Sequence, residues 1–184
     1  MIKIEVFWLN SNLKLENIIT AKQNHTNNIT EIKTWKENLE NCDWLITNIK
    51  NNFSLWVYTA DCCPIAFYDD KNYWIIHAWW RWLTNGIIEK MLEKFEKPNI
   101  YVWPFLKKFE IQKDFCYFEI ENKFWNRYFK EENWKIIFDF EKAVKSILPK
   151  NAIFDSRDTF FDKNLASWRR DKNKARNYTT ITNY

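Results

Sequence analysis

The chain has 184 residues, of which 46% are hydrophobic, and its 28 basic and 24 acidic side chains leave a net charge of +4. This net charge is small and the basic and acidic residues are interspersed along the chain, which argues against a nucleic-acid-binding protein. No apolar run approaches the ~18 residues of a membrane-spanning helix and "MIKIEVFWLN" does not resemble a signal peptide, so we expect a soluble, cytoplasmic protein without a membrane partner.

The first half of the chain is predicted to form short β-strands. Each is a short apolar run bounded by Asn, Asp or Lys, a pattern that is typical of strands. The predicted strands are 1–9, 18–22, 44–47, 55–59, 64–68 and 73–78. The segment 24–42 is rich in Asn and Lys and shows only weak periodicity.

The second half of the chain is predicted to mix helices with strands. The clearest helix is 84–97, with Thr84 as its N-cap and Pro98 after its end, and a second amphipathic helix is 140–148. The other predicted elements are strands at 99–103, 151–155 and 178–182 and a partly helical stretch at 115–130. The alternation of strands and helices predicts one mixed domain over residues 1–184.

The chain has only two histidines, and one of them is at the end of a predicted strand. His77 ends the strand 73–78, Cys62 follows the strand 55–59, and His25 lies in "AKQNH". Two imidazoles and a thiolate are ligand types of a catalytic zinc with one open position. Spacing alone leaves two interpretations open, a zinc site or two ordinary histidines and a buried thiol. The four cysteines form no C-x-x-C pair and are expected to be thiols.

Glycine is far rarer than in ordinary proteins. A chain of this length would contain roughly 13 glycines, yet this one has 1 glycine and 12 tryptophans. Turns with positive φ favour glycine, because other residues adopt that conformation at a cost. We therefore hypothesise that many of the tryptophans are UGA codons that the source organism reads as glycine. UGG codons at Trp44, Trp79 and Trp103 would exclude this hypothesis.

Two neighbouring segments, "VYTADCCPIAFYD" and "IIHAWWRWLTNGIIEKML", carry a family signature. They resemble the T-A-D-C-x-P and H-A-G-W-R-G-L motifs of the YfiH family of laccase-domain proteins. Upstream, Gln23-Asn24-His25 matches its Q-x-H and Asp43-Trp44-Leu45-Ile46-Thr47 its D-G-L-I-T, while "SWRRDKNKARNYTTI" resembles its S-Y-R-R-D…G-R close. Tryptophan stands at family glycine positions 44, 79, 82 and 103, whereas Trp80 falls where the family itself has tryptophan.

The resemblance implies a fold and a metal site. The fold is α+β, a single domain with mixed β-sheets flanked by helices in α-β-β-α layers. His25, Cys62 and His77 are implied to be the catalytic residues and the ligands of a zinc ion, with copper as the alternative metal. Asp61 is expected to bond local backbone and not to act as a general base.

The resemblance also implies a purine nucleoside enzyme. The expected reactions are phosphorolysis of adenosine or methylthioadenosine and deamination of adenosine, so the partners are a small nucleoside and phosphate. Arg81, beside the predicted N-terminus of helix 84–97, is the candidate phosphate clamp, and Arg169 and Arg170 are further candidate substrate ligands. The alternatives are a peptidoglycan-precursor editing hydrolase, a copper polyphenol oxidase and a non-catalytic binding module.

Overall fold

The computed structural model describes residues 2–8, 18–26, 28–93, 95 and 97–183. These residues form thirteen strands and five helices. The strands are β1 (Ile2–Trp8), β2 (Ile18–Thr20), β3 (Ile29–Ile32), β4 (Trp44–Asn48), β5 (Ser54–Thr59), β6 (Cys63–Tyr68), β7 (Asn72–Ala78), β8 (Asn99–Val102), β9 (Lys108–Ile111), β10 (Phe129–Glu132), β11 (Lys135–Asp139), β12 (Ile153–Phe154) and β13 (Asn177–Asn183). The helices are α1 (Trp80–Thr84), α2 (Ile87–Leu92), α3 (Phe115–Phe124), α4 (Phe140–Ile147) and α5 (Trp168–Asp171).

The strands assemble into three sheets. The largest has the order β12-β8-β6-β7-β4-β3, the second β1-β13-β5-β2 and the third β10-β11-β9. The pairs β12/β8, β3/β4 and β2/β5 are parallel and the others antiparallel. The predicted α+β fold with mixed β-sheets and flanking helices is therefore confirmed. Within the described part of the chain, every helix is too short or too polar to cross a membrane.

Two hydrophobic cores lie on opposite faces of the six-stranded sheet. Side chains alternate between faces along a strand, so Tyr73 and Ile75 of β7 pack with residues of the four-stranded sheet such as Leu55. Trp74 and Ile76 pack instead with the core that the helices cover. His77 continues the first series, which places its ring on the face towards the four-stranded sheet.

The predicted helix 84–97 is confirmed for Ile87–Leu92, but its predicted start is wrong, because Thr84 belongs to the separate helix α1. α1 ends at Thr84 and α2 begins at Ile87, with Gly86 between them at φ +66°. A left-handed residue cannot continue an α-helix. The Thr84 hydroxyl donates a hydrogen bond to the Arg81 carbonyl at 2.9 Å, so it closes α1 and does not cap a later helix.

Two left-handed turns in the second half of the chain contain tryptophan. α3 confirms the helical part of the stretch 115–130, and it ends at Trp125 with φ +54°. β10 and β11 form a hairpin that the sequence did not predict. Its two-residue loop is Asn133-Trp134 with φ +48° and +64°, the signs of a type I′ turn, for which Asn-Gly is the preferred sequence.

Candidate metal centre

Three side chains from separate parts of the chain meet where the two larger sheets adjoin. The donor atoms of His25, Cys62 and His77 all lie within 4.8 Å of one another. His77 comes from the end of β7, Cys62 from the connection between β5 and β6, and His25 from the segment after β2. Because Pro64 of β6 pairs with His77 and Cys63 with Ala78, Cys62 lies next to the end of β7. The site therefore uses residues from both sheets and from the link between them.

A buried carboxylate, that of Asp43, holds this arrangement in place. Its Oδ1 lies 2.9 Å from His77 Nδ1. It also accepts hydrogen bonds from the backbone N–H groups of Asn24, His25 and Thr26 at 3.2, 3.1 and 2.6 Å. Burial alone would raise the pKa of Asp43, but the hydrogen bonds from His77 and these amides lower it. A carboxylate on Nδ1 directs Nε2 of the same ring to a metal.

The segment that carries His25 is fixed to the neighbouring strand β5. The side-chain amide of Gln23 donates to the Tyr58 carbonyl and accepts from the Tyr58 N–H, both at 2.8 Å. His25 itself has φ +57°. The Trp82 ring stacks on the His25 ring with centroids 5.8 Å apart, and its Nε1 donates to the Thr26 carbonyl at 2.8 Å. The imidazole is thus held by contacts on several sides.

The environment sets the protonation of the donors. Burial and the neighbouring His77 lower the pKa of His25, so its imidazole is neutral at pH 7 and available as a ligand. Burial and the charge of Asp61 raise the pKa of the Cys62 thiol, while Arg176 acts in the opposite direction. A cation bound here would therefore have to displace the Cys62 proton, as metal binding to thiols generally does.

These donors fit a tetrahedral metal ion. Zinc bonds of about 2.0 to 2.3 Å place the ligand atoms of a tetrahedral site roughly 3.5 Å apart. The observed limit of 4.8 Å requires only a small inward movement of the side chains. Three ligands leave a fourth position, and a cleft opens beside them.

The cleft has a volume of about 520 Å³ and contains the three donors in its wall. Aromatic rings of Tyr58, Trp79 and Trp168 line it as well. Its charged lining consists of the carboxylate of Asp61 and three cationic side chains, and those cations are Arg169, Lys172 and Arg176. A purine ring and an anion are the kinds of ligand that such walls accept.

Of the three arginines predicted to bind substrate, Arg169 lines the cleft, whereas Arg81 and Arg170 do not. Arg169 lines the cleft, stacks on the Phe109 ring at 4.6 Å and donates to the Glu110 carbonyl. Arg81 is exposed, lies over the Trp80 ring at 5.3 Å and is not part of the cleft wall. The guanidinium of Arg170 lies outside that wall too. It bonds the Asp171 carboxylate and backbone carbonyls that include Leu165.

Asp61 makes structural hydrogen bonds, but to distant residues and not to the local backbone that was expected. Its carboxylate accepts hydrogen bonds from the Thr159 hydroxyl at 2.8 Å and from the Arg169 N–H at 2.7 Å. Its carbonyl accepts the N–H of Leu106. The residue therefore ties the Cys62 loop to the segment before β13.

Sequence reasoning assigned no role to four residues at this site. Gln23 and Asp43 were present in the quoted motifs, and their polar side chains next to predicted strands were the available signal. Lys172 and Arg176 belong to a basic segment whose charges look like an ordinary solvated surface in the sequence. Only the three-dimensional position of that segment shows that these two line the cleft.

Comparison with known proteins adds independent findings. The sequence profile of the family described as "Multi-copper polyphenol oxidoreductase laccase" matches residues 5–183. A purine nucleoside phosphorylase of Aquifex aeolicus is 31% identical over 177 residues, which cover 90% of this chain and 82% of the relative. A purine nucleoside phosphorylase of Borreliella burgdorferi is 33% identical over 167 residues, covering 81% and 72%. The solved structure of the hypothetical protein YfiH of Bacillus licheniformis shares the fold, with a TM-score of 0.75, 20% identity and coverage of 91% and 74%.

Proposed function

The chain belongs to the family described as multi-copper polyphenol oxidoreductase laccases, and from this membership we propose that it is a zinc-dependent enzyme that phosphorolyses purine nucleosides. The resemblance to the YfiH family that its motifs carry is thereby confirmed. The observation that supports the proposal best is the convergence of His25, Cys62 and His77 on a cleft lined by aromatic rings and cations. Relatives named purine nucleoside phosphorylase support the choice of substrate.

The donor set favours a single zinc ion over copper. The whole chain has two histidines, which is too few for several copper ions. Two imidazoles and one thiolate can also hold an electron-transfer copper, but such sites generally add a weak axial thioether. Met91 lies in the core on the opposite face of the six-stranded sheet, and Met1 is outside the described residues. A zinc ion held here would supply Lewis-acid chemistry and lower the pKa of water at its open position.

The residues of the cleft then bind and orient the reactants. In phosphorolysis, a phosphate oxygen forms a bond to the ribose C1′ while the bond from C1′ to the purine nitrogen breaks. The electron pair of that bond stays with the purine, which takes up a proton. The rings of Tyr58 and Trp168 offer faces for the base, and the positive lining favours the phosphate anion.

Deamination of adenosine is a second reaction of the same proposed site. It requires water at C6 and release of ammonia, and it consumes no phosphate. The three-ligand donor set, which leaves a position for water, favours this reaction. Because both reactions share the metal, loss of His77 is expected to remove both.

Product analysis of the purified, zinc-loaded chain tests the proposal. Adenosine with phosphate should yield adenine and ribose 1-phosphate, and adenosine without phosphate should yield inosine. His77→Ala should abolish both, and Cys116→Ser, which does not line the cleft, should abolish neither. Three other outcomes would reject the proposed nucleoside chemistry. Activity only on a peptidoglycan precursor would favour the editing hydrolase, and oxidation of phenols with bound copper would favour the polyphenol oxidase. Full function of His77→Ala would favour the non-catalytic binding module.

A further inference from the structure

We propose that Arg169, Lys172 and Arg176 together form the phosphate-binding subsite of the metal cleft, in place of Arg81. The inference rests on the proposed function and names the residues that hold its anionic reactant. All three cations belong to one short segment between the start of α5 and the start of β13. All three line the cleft that also contains the metal donors.

Asp61 also lines the cleft and, with Glu110, acts electrostatically on Arg169, but neither carboxylate is in a direct ion pair with these cations. Among the described residues, none of the three forms an ion pair with Asp or Glu. Within the part of the chain that the structure describes, Arg176 donates only to the carbonyls of Ala175 and Asn173. Its neighbour Arg170, by contrast, is paired with Asp171. A guanidinium that keeps unpaired N–H groups in a cleft is suited to grip a phosphate in bidentate fashion.

The backbone around these side chains is held in position. The Asp61 carboxylate accepts the Arg169 N–H at 2.7 Å and so anchors this segment one residue from the metal donor Cys62. Lys172 has φ +50° and ends α5. The Arg169 guanidinium rests on the Phe109 ring. A subsite built next to the donors places a bound phosphate near any ribose that reaches the metal.

Arg81 is the less suitable candidate because of its position. Its side chain is exposed and contacts the face of the Trp80 ring, outside the wall of the cleft. The helix that contains Arg81 begins at Trp80, not at Thr84, and has only five residues. So short a helix offers no strong N-terminal dipole to an anion beside Arg81.

Direct binding of inorganic phosphate to the full chain tests this inference without any turnover. Titration calorimetry at constant ionic strength should show that Lys172→Gln combined with Arg176→Gln weakens phosphate binding at least about tenfold, because charge-assisted hydrogen bonds are lost. Lys174→Gln, an exposed lysine of the same segment outside the cleft, is the matched control and should change the affinity less than about twofold. Arg176→Lys, which keeps the charge, should restore much of the affinity.

The possible results separate the inference from the proposed function. Unchanged phosphate affinity in the double variant, or no phosphate binding by the unaltered chain, overturns it. If the double variant does not fold, Lys172→Gln alone decides the question, since no hydrogen bond of its side chain to the described residues would be lost. Weakened phosphate binding without any nucleoside turnover upholds the subsite and rejects the proposed function.

A second arm identifies the source of the phosphate group. Adenosine and inorganic phosphate should bind together if the phosphate is a free reactant. Adenosine 5′-monophosphate should instead exclude inorganic phosphate if the subsite holds a phosphate ester. Either result would place a phosphate group on these cations. If adenosine 5′-monophosphate and inorganic phosphate bind at the same time with unchanged affinities, the cations do not form a single phosphate subsite.

Discussion

Asp43 shows at the scale of one residue how a candidate metal site can depend on a side chain that is not among its three donors. Its carboxylate holds His77 by Nδ1 and accepts three consecutive backbone N–H groups around His25. Two of the three donors are therefore positioned by one buried anion. Partners of this kind typically contribute about 10- to 100-fold to metal affinity.

Asp43→Asn is expected to weaken zinc binding by about 10- to 100-fold, because an amide is neutral and holds the His77 ring less firmly. Competition with a chelating dye measures the affinity. Asp70→Asn, in an exposed turn, is the control and should leave it unchanged. Equal zinc affinity in Asp43→Asn and the unaltered chain would show that Asp43 has only a folding role.

The pH dependence of zinc binding follows from the Cys62 thiol. Because burial raises its pKa, the thiol is protonated at neutral pH and one proton must leave for each zinc bound. Zinc affinity should rise about tenfold per pH unit from about pH 6.5 to about pH 8. His25, with its lowered pKa, adds little to this slope in that range. Calorimetry in buffers of different ionisation enthalpy counts the released protons, and Cys62→Ser should flatten the slope.

At the scale of the elements, two tryptophans in the second half of the chain occupy backbone conformations that favour glycine. Trp125 ends α3 and Trp134 occupies the second position of the hairpin loop, both with positive φ and with exposed fractions of 81% and 105%. Glycine is the usual residue at both kinds of position. Trp44 differs, since its ring is buried and its Nε1 has no hydrogen-bond partner among the described residues. These observations support the hypothesis that UGA encodes glycine in this gene.

Trp125→Gly and Trp134→Gly should each raise the free energy of unfolding by about 1 kcal/mol, because glycine adopts positive φ without strain. Trp35→Gly, at an exposed tryptophan that lacks positive φ, is the matched control and should not stabilise the chain. Urea unfolding measures all three. A loss of stability in both turn variants would mean that these rings make contacts that outweigh the strain.

The sequence predicted those elements whose signal is local. The apolar runs of β5, β6 and β7 were found almost to the residue, as was α4, which ends before Pro149. β3 and β9 were missed because their short polar alternation, "ITEI" and "KFEI", depends on a neighbouring strand for stability. The break at Gly86 was missed because the apolar periodicity continues across it. The family resemblance implied the three donors and Arg169, but the positions of Lys172 and Arg176 in the cleft required the folded chain.

At the scale of the whole molecule, the candidate metal site joins the two larger sheets. His77 belongs to the six-stranded sheet, His25 follows a strand of the four-stranded sheet, and Cys62 lies on the link between them. A ligand that binds only the folded state stabilises it in proportion to the logarithm of its concentration over Kd. A metal bound here therefore couples the stability of both sheets.

Zinc at about a thousandfold excess over its Kd should raise the free energy of unfolding by about 4 kcal/mol. Thermal or urea unfolding with and without a chelator measures this shift. His77→Ala should abolish it, while Cys116→Ser should retain it in full. An equal shift in His77→Ala would mean that zinc stabilises the chain through other groups.

The position of β13 has a consequence for the order in which the chain can fold during synthesis. β13 lies between β1 and β5, yet it is the last strand described. Among the described strands, β1 pairs only with β13, so the ribosome must deliver the chain as far as residue 183 before β1 is fully paired. Until then the nascent chain exposes an unfilled strand position, at which a chaperone, or the edge of another unfinished chain, can dock.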